Sequence, residues 1–373
     1  MGKIKNIEFL RCFFIFQIVM IHLIKNEFSL SKIFPCVPIY QGLKSIFPNG
    51  AMTVDCFFII AGFFLVLTFK QNTTFLDFIK KKYIRLTPVI IFSMIFCVIG
   101  AILKVFHFNV IQNILSILLL NNFGYVWFQP INSSLWFTSA LFASLIIYFL
   151  LLKNTSKKKF LIISFAISTI TYITLNFLSS GRFTNPWHNY FHILNTGFLR
   201  SIAGIGLGSF IGILYKNFKK NILLDIGKIN KNVITAIEIL SFTFMAWILA
   251  GGIPKNIHLA FILNFAVLFS LFIFNKGLIS KFFNNEIWSV LGKYQYSLFV
   301  VHFIIFKILN YALWKPNKEF VYNFPIIPIV TNLAIAIFFA IFAYHFVEKP
   351  CAKYLKQKLL GKNLITQIGE INE

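Results

Sequence analysis

The sequence predicts an all-α polytopic membrane protein: a bundle of about ten transmembrane helices with both termini in the cytoplasm. Three observations predict it. Of 373 residues, 58% are apolar and only 12% are charged, whereas a soluble globular domain carries about 25% charged residues. Apolar runs close to the ~20 residues needed to cross a bilayer recur along the whole chain. The loops between those runs alternate between rich and poor in Lys and Arg. The 49 Phe fit the same picture, because large aromatic side chains pack against both lipid and neighbouring helices.

The spans are expected near 7–25, 51–69, 87–104, 134–152, 160–178, 198–215, 233–251, 257–275, 291–313 and 325–347. The stretch 110–120 is apolar but short, and is expected to be interfacial or re-entrant. No small-residue cleavage site follows the first run, and polar Asn26 and Glu27 come directly after it. It therefore reads as a retained helix rather than a signal peptide.

The N-terminus, the loops after spans two, four, six and eight, and the C-terminal tail hold about 24 of the 35 basic residues; the other loops hold about 9, and Arg11 and Lys307 lie within spans. This asymmetry puts the basic loops and both ends in the cytoplasm, which implies a multi-pass protein of the inner (plasma) membrane. The net charge of +24 is then a topology signal facing the lipid bilayer, and no nucleic-acid partner is expected. Residues 1–350 read as one transmembrane domain and 351–373 as a short basic cytoplasmic tail. Homo-oligomerisation stays open. Cys12, Cys36, Cys56, Cys97 and Cys351 are scattered with no CxxC or Cys/His spacing, so neither a disulfide framework nor a metal site is expected.

Ionisable residues within spans are costly and commonly mark function. Arg11 and His22 lie on one face of span one, about 20° apart in helical angle and ~16 Å apart along the axis. Asp55, in Thr53-Val54-Asp55-Cys56-Phe57-Phe58, enters span two at nearly the depth of His22. A carboxylate against an imidazole fixes the ring tautomer and raises its basicity, as a general base needs. The alternative is a structural bond that offsets the cost of burial, and the pattern alone leaves both open. His302 lies near the middle of span nine. His345 and Glu348 close span ten; Glu238, Lys307 and His345 read as packing or headgroup residues. Trp127, Trp136, Trp187 and Trp314 fall near outer boundaries, where an aromatic belt accounts for them. Arg182, His188 and His192 share an outer loop. At the cytoplasmic mouth, Lys80-Lys81-Lys82-Tyr83-Ile84-Arg85-Leu86-Thr87-Pro88 puts Lys82 and Arg85 three residues apart, neighbours on a helix, with Pro88 expected in the first turn of span three. Topology explains such a loop; a seat for a phosphorylated ligand is the functional reading.

Together these segments resemble the acyltransferase 3 family of membrane acyltransferases, from Ile7 to Pro350. The resemblance rests on Arg11 and His22, and on Gly50-x-x-x-Val54-Asp55-x-Phe57-Phe58-x-x-x-Gly62-Phe63. It continues through Arg85-Leu86-x-Pro88, Leu135-Trp136-Phe137-x-Ser139-Ala140, Leu291-Gly292-x-x-x-Tyr296-Ser297-Leu298-x-x-x-His302 and Phe346-Val347-Glu348-Lys349-Pro350. Ala61 replaces the family's usual Ser, and Lys81 and Lys82 stand where arginine is common, which keeps the charge but loses bidentate phosphate binding. An extracytoplasmic esterase-like domain, carried by some relatives, is not expected here.

The resemblance implies an O-acyltransferase, with acetyl the commonest acyl group in the family. Cytoplasmic acyl-coenzyme A (acetyl-CoA) would be the donor substrate and a cell-surface glycan or glycolipid the acceptor, with no permanently bound cofactor. Lys82 and Arg85 would seat the donor phosphates. His22, oriented by Asp55, would deprotonate the acceptor hydroxyl or carry the acyl group. Arg11 would line the path, and Trp136, Ser139 and His302 would line the substrate site. A transporter or flippase for a lipid-linked sugar, or a structural or sensory protein, are the competing classes.

Overall fold

Inside a bilayer, backbone N–H and C=O groups have only each other to bond, so each apolar run must coil into a helix. A computed structural model of the chain describes residues 4–25, 28–121, 130–190, 194–228, 230–251 and 257–360. Its ten principal helices are α1 (Lys5–Ile24), α2 (Gly50–Thr68), α3 (Phe75–Ile102), α4 (Ser133–Asn154), α5 (Lys157–Leu178), α6 (Thr196–Lys228), α7 (Lys231–Leu249), α8 (His258–Phe274), α9 (Gln295–Trp314) and α10 (Ile326–Leu355). Among the described residues nine of these are long and apolar enough to cross a membrane, and α8 is a shorter apolar helix of 17 residues, at the lower limit for a crossing. A hairpin of two-residue strands, Asn189–Tyr190 and Leu194–Asn195, interrupts the helical pattern just before α6.

The outward faces are apolar. Ile91, Ile95, Val98 and Ile102 run down the exposed side of α3, and Ile162, Phe165, Ile170, Ile173 and Phe177 down that of α5. Surfaces this continuous belong against lipid, and the protein is a multi-pass membrane protein. The short helix Val110–Ile117 has the same polarity. It buries Asn113 and Ser116 and exposes Val110, Ile111 and Ile114.

Helix α1 runs through the middle of the bundle. Its first half (Ile7, Phe9, Leu10, Phe14) packs with Phe261, Phe265 and Phe269 of α8. Its second half (Ile15, Ile18, Val19, Leu23) joins a second core with α4 and α9. Helices α2 and α6 touch backbone to backbone. Gly204, Gly208 and Gly212 recur every fourth residue on one face of α6. A Cβ added at Gly208 would come within 1.8 Å of the Ile59 carbonyl oxygen, and one at Gly62 within 2.2 Å of the Ile205 carbonyl oxygen. Small residues at this spacing let membrane helices approach closely.

One expectation is corrected. Helix α3 starts at Phe75, where the Thr74 hydroxyl accepts the Asp77 backbone N–H at 3.1 Å, the side-chain bond of an N-cap. The basic stretch is therefore helical, and Pro88 lies inside the helix rather than in its first turn. Asn26, Glu27, Trp127, His192 and the tail beyond residue 360 lie outside the described residues.

Candidate active site

The end of α1 meets the first turns of α2, α4 and α6 around a cavity of about 540 Å³. His22 and Lys25 reach it from α1, Trp136 from α4, and Arg182 and Trp187 from the loop before α6. These are the helix ends that the loop charges assign to one side of the membrane. Among the described residues that line it, none is Asp or Glu.

His22 has a defined tautomer. Behind it, fully buried His302 places its Nδ1 at 2.9 Å from the Leu298 carbonyl oxygen. A carbonyl only accepts, so that nitrogen carries the proton, and Nε2 of neutral His302 offers a lone pair. Nδ1 of His22 lies 2.7 Å from that Nε2 and therefore donates to it. The two ring planes are within 7° of parallel, so the bond runs along the in-plane lone pair. The remaining nitrogen of His22, Nε2, is then left as a base on a ring that lines the cavity. The partner that sequence reasoning gave His22 was Asp55, and that contact is not made.

Asp55 is occupied elsewhere. Its fully buried carboxylate accepts from Arg200 Nη2 at 2.6 Å and Arg200 Nε at 3.1 Å, and lies 2.9 Å from His258 Nε2. A guanidinium brings a full charge and a two-pronged geometry, which a neutral imidazole does not match. The close approach of α2 and α6 sets Asp55 against Arg200, while His22 turns toward α9. Arg200 also donates to the carbonyls of Ala51 (2.9 Å) and Thr184 (3.3 Å), and its guanidinium carbon lies 5.7 Å from the Trp136 ring centroid. The pair thus braces the cavity wall from behind. Arg200 and His258 both lie in the first turns of their helices, inside the spans expected at 198–215 and 257–275, and sequence reasoning singled out neither. Their signal was the position of a cation and an imidazole within one turn of an apolar run.

Trp136 lines the cavity as expected. Ser139 does not. It is buried, and its hydroxyl donates to the Leu119 carbonyl at 2.6 Å, tying α4 to the segment after Val110–Ile117. His302 sits one residue back from the space, supporting His22 rather than touching a ligand. Near the cavity, Lys25 donates to the Pro48 carbonyl and Arg182 Nη2 to Asn49 Oδ1 at 2.9 Å. Lys25 lies in electrostatic reach of both Arg182 and Lys44.

The opposite end of α1 gathers the other expected residues. Arg11 pairs with Glu8 through Nη1, 3.0 Å from each carboxylate oxygen. Arg85 is exposed and in electrostatic reach of Arg11, Glu348 and Glu8. Lys82 holds its ammonium 5.4 Å from the Phe78 ring centroid and interacts with Arg85. Glu348 accepts from the Ser297 hydroxyl at 2.6 Å, and the Tyr296 hydroxyl donates to the Leu86 carbonyl at 2.6 Å. The cavity at His22 does not reach this cluster; its deepest α1 residue is Ile18.

Among the described residues no group of three or more His, Cys, Asp or Glu side chains is arranged to hold a metal ion. Residues 4–346 match the family described as Acyltransferase domain. The chain belongs to the acyltransferase 3 family. Curated relatives of this acyltransferase 3 protein are named "Putative O-acetyltransferase" in Staphylococcus aureus strains COL, MSSA476 and MRSA252. Each is 25% identical over 351 residues, an alignment that covers 84% of this chain and 55% of the relative. The chain thus spans about half the length of the curated relatives it matches. No solved structure matches it.

Proposed function

We propose that this protein is a membrane O-acyltransferase that moves an acetyl group from cytoplasmic acetyl-CoA to a hydroxyl of a glycan or glycolipid on the other side of the plasma membrane. The observation that carries the reading is the fixed tautomer of His22, which leaves Nε2 unprotonated on a ring that lines a cavity large enough for a sugar. Cavities of ~300–1,000 Å³ are the usual size of small-molecule sites. Trp136 and Trp187 offer aromatic faces there for the apolar side of a sugar ring.

In the proposed step the acceptor hydroxyl oxygen attacks the thioester carbonyl carbon. The C–O bond forms and the C–S bond breaks. The hydroxyl proton passes to His22 Nε2, and from there to the departing coenzyme A thiolate. His302 and the Leu298 carbonyl hold His22 in its basic tautomer and stabilise the imidazolium as it forms. Asp55 and Arg200 take no proton; they position the wall. The donor's phosphates rest near Lys82 and Arg85, with Arg11 beside them; the cavity stops at Ile18, so a path along the rest of the ~16 Å of α1 between Arg11 and His22 must open for the thioester end to reach His22. The distribution of basic loops supports both termini, and the donor end, on the cytoplasmic side.

The test is acyl transfer by purified protein, from radiolabelled acetyl-CoA to a glycan hydroxyl, with His22→Ala as the variant. Transfer is expected to fall about 10²–10⁴-fold, while acetyl-CoA still raises the melting temperature of the variant. Undiminished transfer by folded His22→Ala would sink the assignment of the base. Absence of both donor stabilisation and transfer in the wild-type protein would favour a transporter.

A further inference from the structure

The lining of the His22 cavity is electrostatically one-sided. Lys25 stands three residues beyond His22 on α1, and Arg182 faces the same space from the loop before α6. The third cation at the wall, Arg200, is neutralised by Asp55. Among the described residues Lys25 and Arg182 have no such partner: each donates to a neutral oxygen, of Pro48 and Asn49 respectively. An ammonium has three N–H donors and a guanidinium five, so both keep donors for a ligand. Lys44 adds positive charge in electrostatic reach of Lys25, and no carboxylate of the described residues lines the space. Two like charges held together beside a cavity repel each other, and an anion between them removes that cost.

Resting on the acyltransferase reading, we propose that the acceptor is an anionic glycan, with a carboxylate or phosphate seated between Lys25 and Arg182 while a neighbouring hydroxyl meets His22 Nε2. Trp136 and Trp187 supply the aromatic surface for the ring, and the two cations choose which sugar enters. Electrostatic complementarity of this kind gives specificity and rate of encounter.

The experiment measures binding and transfer separately, on the full chain in uncharged detergent. Binding is read from quenching of tryptophan fluorescence with glucose, glucuronate and glucose 1-phosphate as probes. The two anions should bind at least 10-fold more tightly than glucose, with an advantage that shrinks as salt is raised. Lys25→Gln with Arg182→Gln should remove the advantage, and Lys25→Arg with Arg182→Lys should keep most of it, which separates charge from folding. Equal binding of the three probes by the wild-type protein would overturn the proposal and leave the acyltransferase reading standing. So would an anion advantage that survives the double Gln variant. The same titration in nanodiscs of phosphatidylglycerol tests the other source of phosphate. If that lipid alone abolishes the anion advantage, the cations belong to a headgroup and the proposal fails. Transfer from acetyl-CoA is then compared across the same three acceptors, and a higher kcat/KM for the anionic pair is expected. Transfer to none of them, alongside tight anion binding, would count against the acyltransferase reading and leave the anion seat in place.

Discussion

His22 Nδ1 donates to His302 Nε2 across 2.7 Å, and the Leu298 carbonyl fixes the direction of that bond. A backbone carbonyl therefore decides, through one intervening imidazole, which nitrogen of His22 keeps its lone pair free, and so which would act as the proposed base. Replacing His302 with Leu removes the acceptor and frees His22 to take either tautomer. The expected result is a fall of roughly 10-fold or more in kcat with little change in the KM for the donor. His302→Gln keeps an acceptor oxygen and should restore part of the loss. A pH–rate profile adds a readout that simple packing would not move, since the basic limb reports the state of His22. Equal activity of His302→Leu and wild type would remove His302 from the mechanism.

The Asp55–Arg200 pair makes a different kind of prediction, about stability. Both side chains are fully buried, so removing one leaves an uncompensated charge, a loss of about 3–5 kcal/mol. Arg200→Met should melt well below the wild type in detergent. Asp55→Asn combined with Arg200→Met should recover much of the difference, because the stranded charge is gone. Single and double variants that melt alike would show that the pair is not electrostatically coupled.

The ten apolar runs were legible because bilayer thickness fixes their length, and each falls on a helix, although α3 starts well before its expected span and α6 and α10 run on well past theirs. His22 and Trp136, both singled out from the sequence, line one cavity because each sits near the end of its run that faces the same side of the bundle. The partner of Asp55 was not. Depth along a helix follows from residue number, but which neighbour a side chain faces follows from how the helices are arranged, and a single sequence gives no such order. Arg200 was absorbed into the loop charge at the start of its span. His302 was legible as a buried histidine but not as the support of His22, for the same reason. The start of α3 was misjudged because the lysines looked like a loop, when a Thr74 cap and helix-favouring Lys carry the helix thirteen residues ahead of Pro88.

The contact between α2 and α6 predicts sharp sensitivity at one glycine. A Cβ at Gly208 would sit 1.8 Å from the Ile59 carbonyl oxygen, whereas one at Gly42 would meet nothing within 4 Å. Backbone cannot yield as a flexible side chain does, so Gly208→Val should cost at least about 1–3 kcal/mol, the usual range for overpacking. It should also loosen Asp55 from Arg200, and with it the cavity wall. Thermal melting and glucuronate binding should both suffer in Gly208→Val, and neither in Gly42→Ala. A Gly208→Val protein with wild-type melting would mean that the two helices sit farther apart than described.

The donor end yields the last prediction. Arg85 is exposed and in electrostatic reach of Arg11 and Glu348, and Lys82 lies beside it. If these cations only mark the cytoplasmic side, replacing two of the 35 basic residues should leave the handling of acetyl-CoA unchanged. If they hold donor phosphate, Lys82→Ala with Arg85→Ala should raise the KM for acetyl-CoA while kcat at saturating donor changes little, because uniform binding is lost rather than transition-state binding. The loss should be larger at low salt than at high salt, where exposed charges are screened. Acetyl-3′-dephospho-CoA supplies the decisive comparison. If the pair reads the 3′-phosphate, this donor should be handled poorly by the wild type and no worse by the double variant. Arg85→Lys should fall between wild type and Arg85→Ala, since lysine keeps the charge but not the two-pronged contact. A KM that ignores the substitutions, the salt and the missing phosphate would return the basic stretch to a topological role and require another seat for the donor.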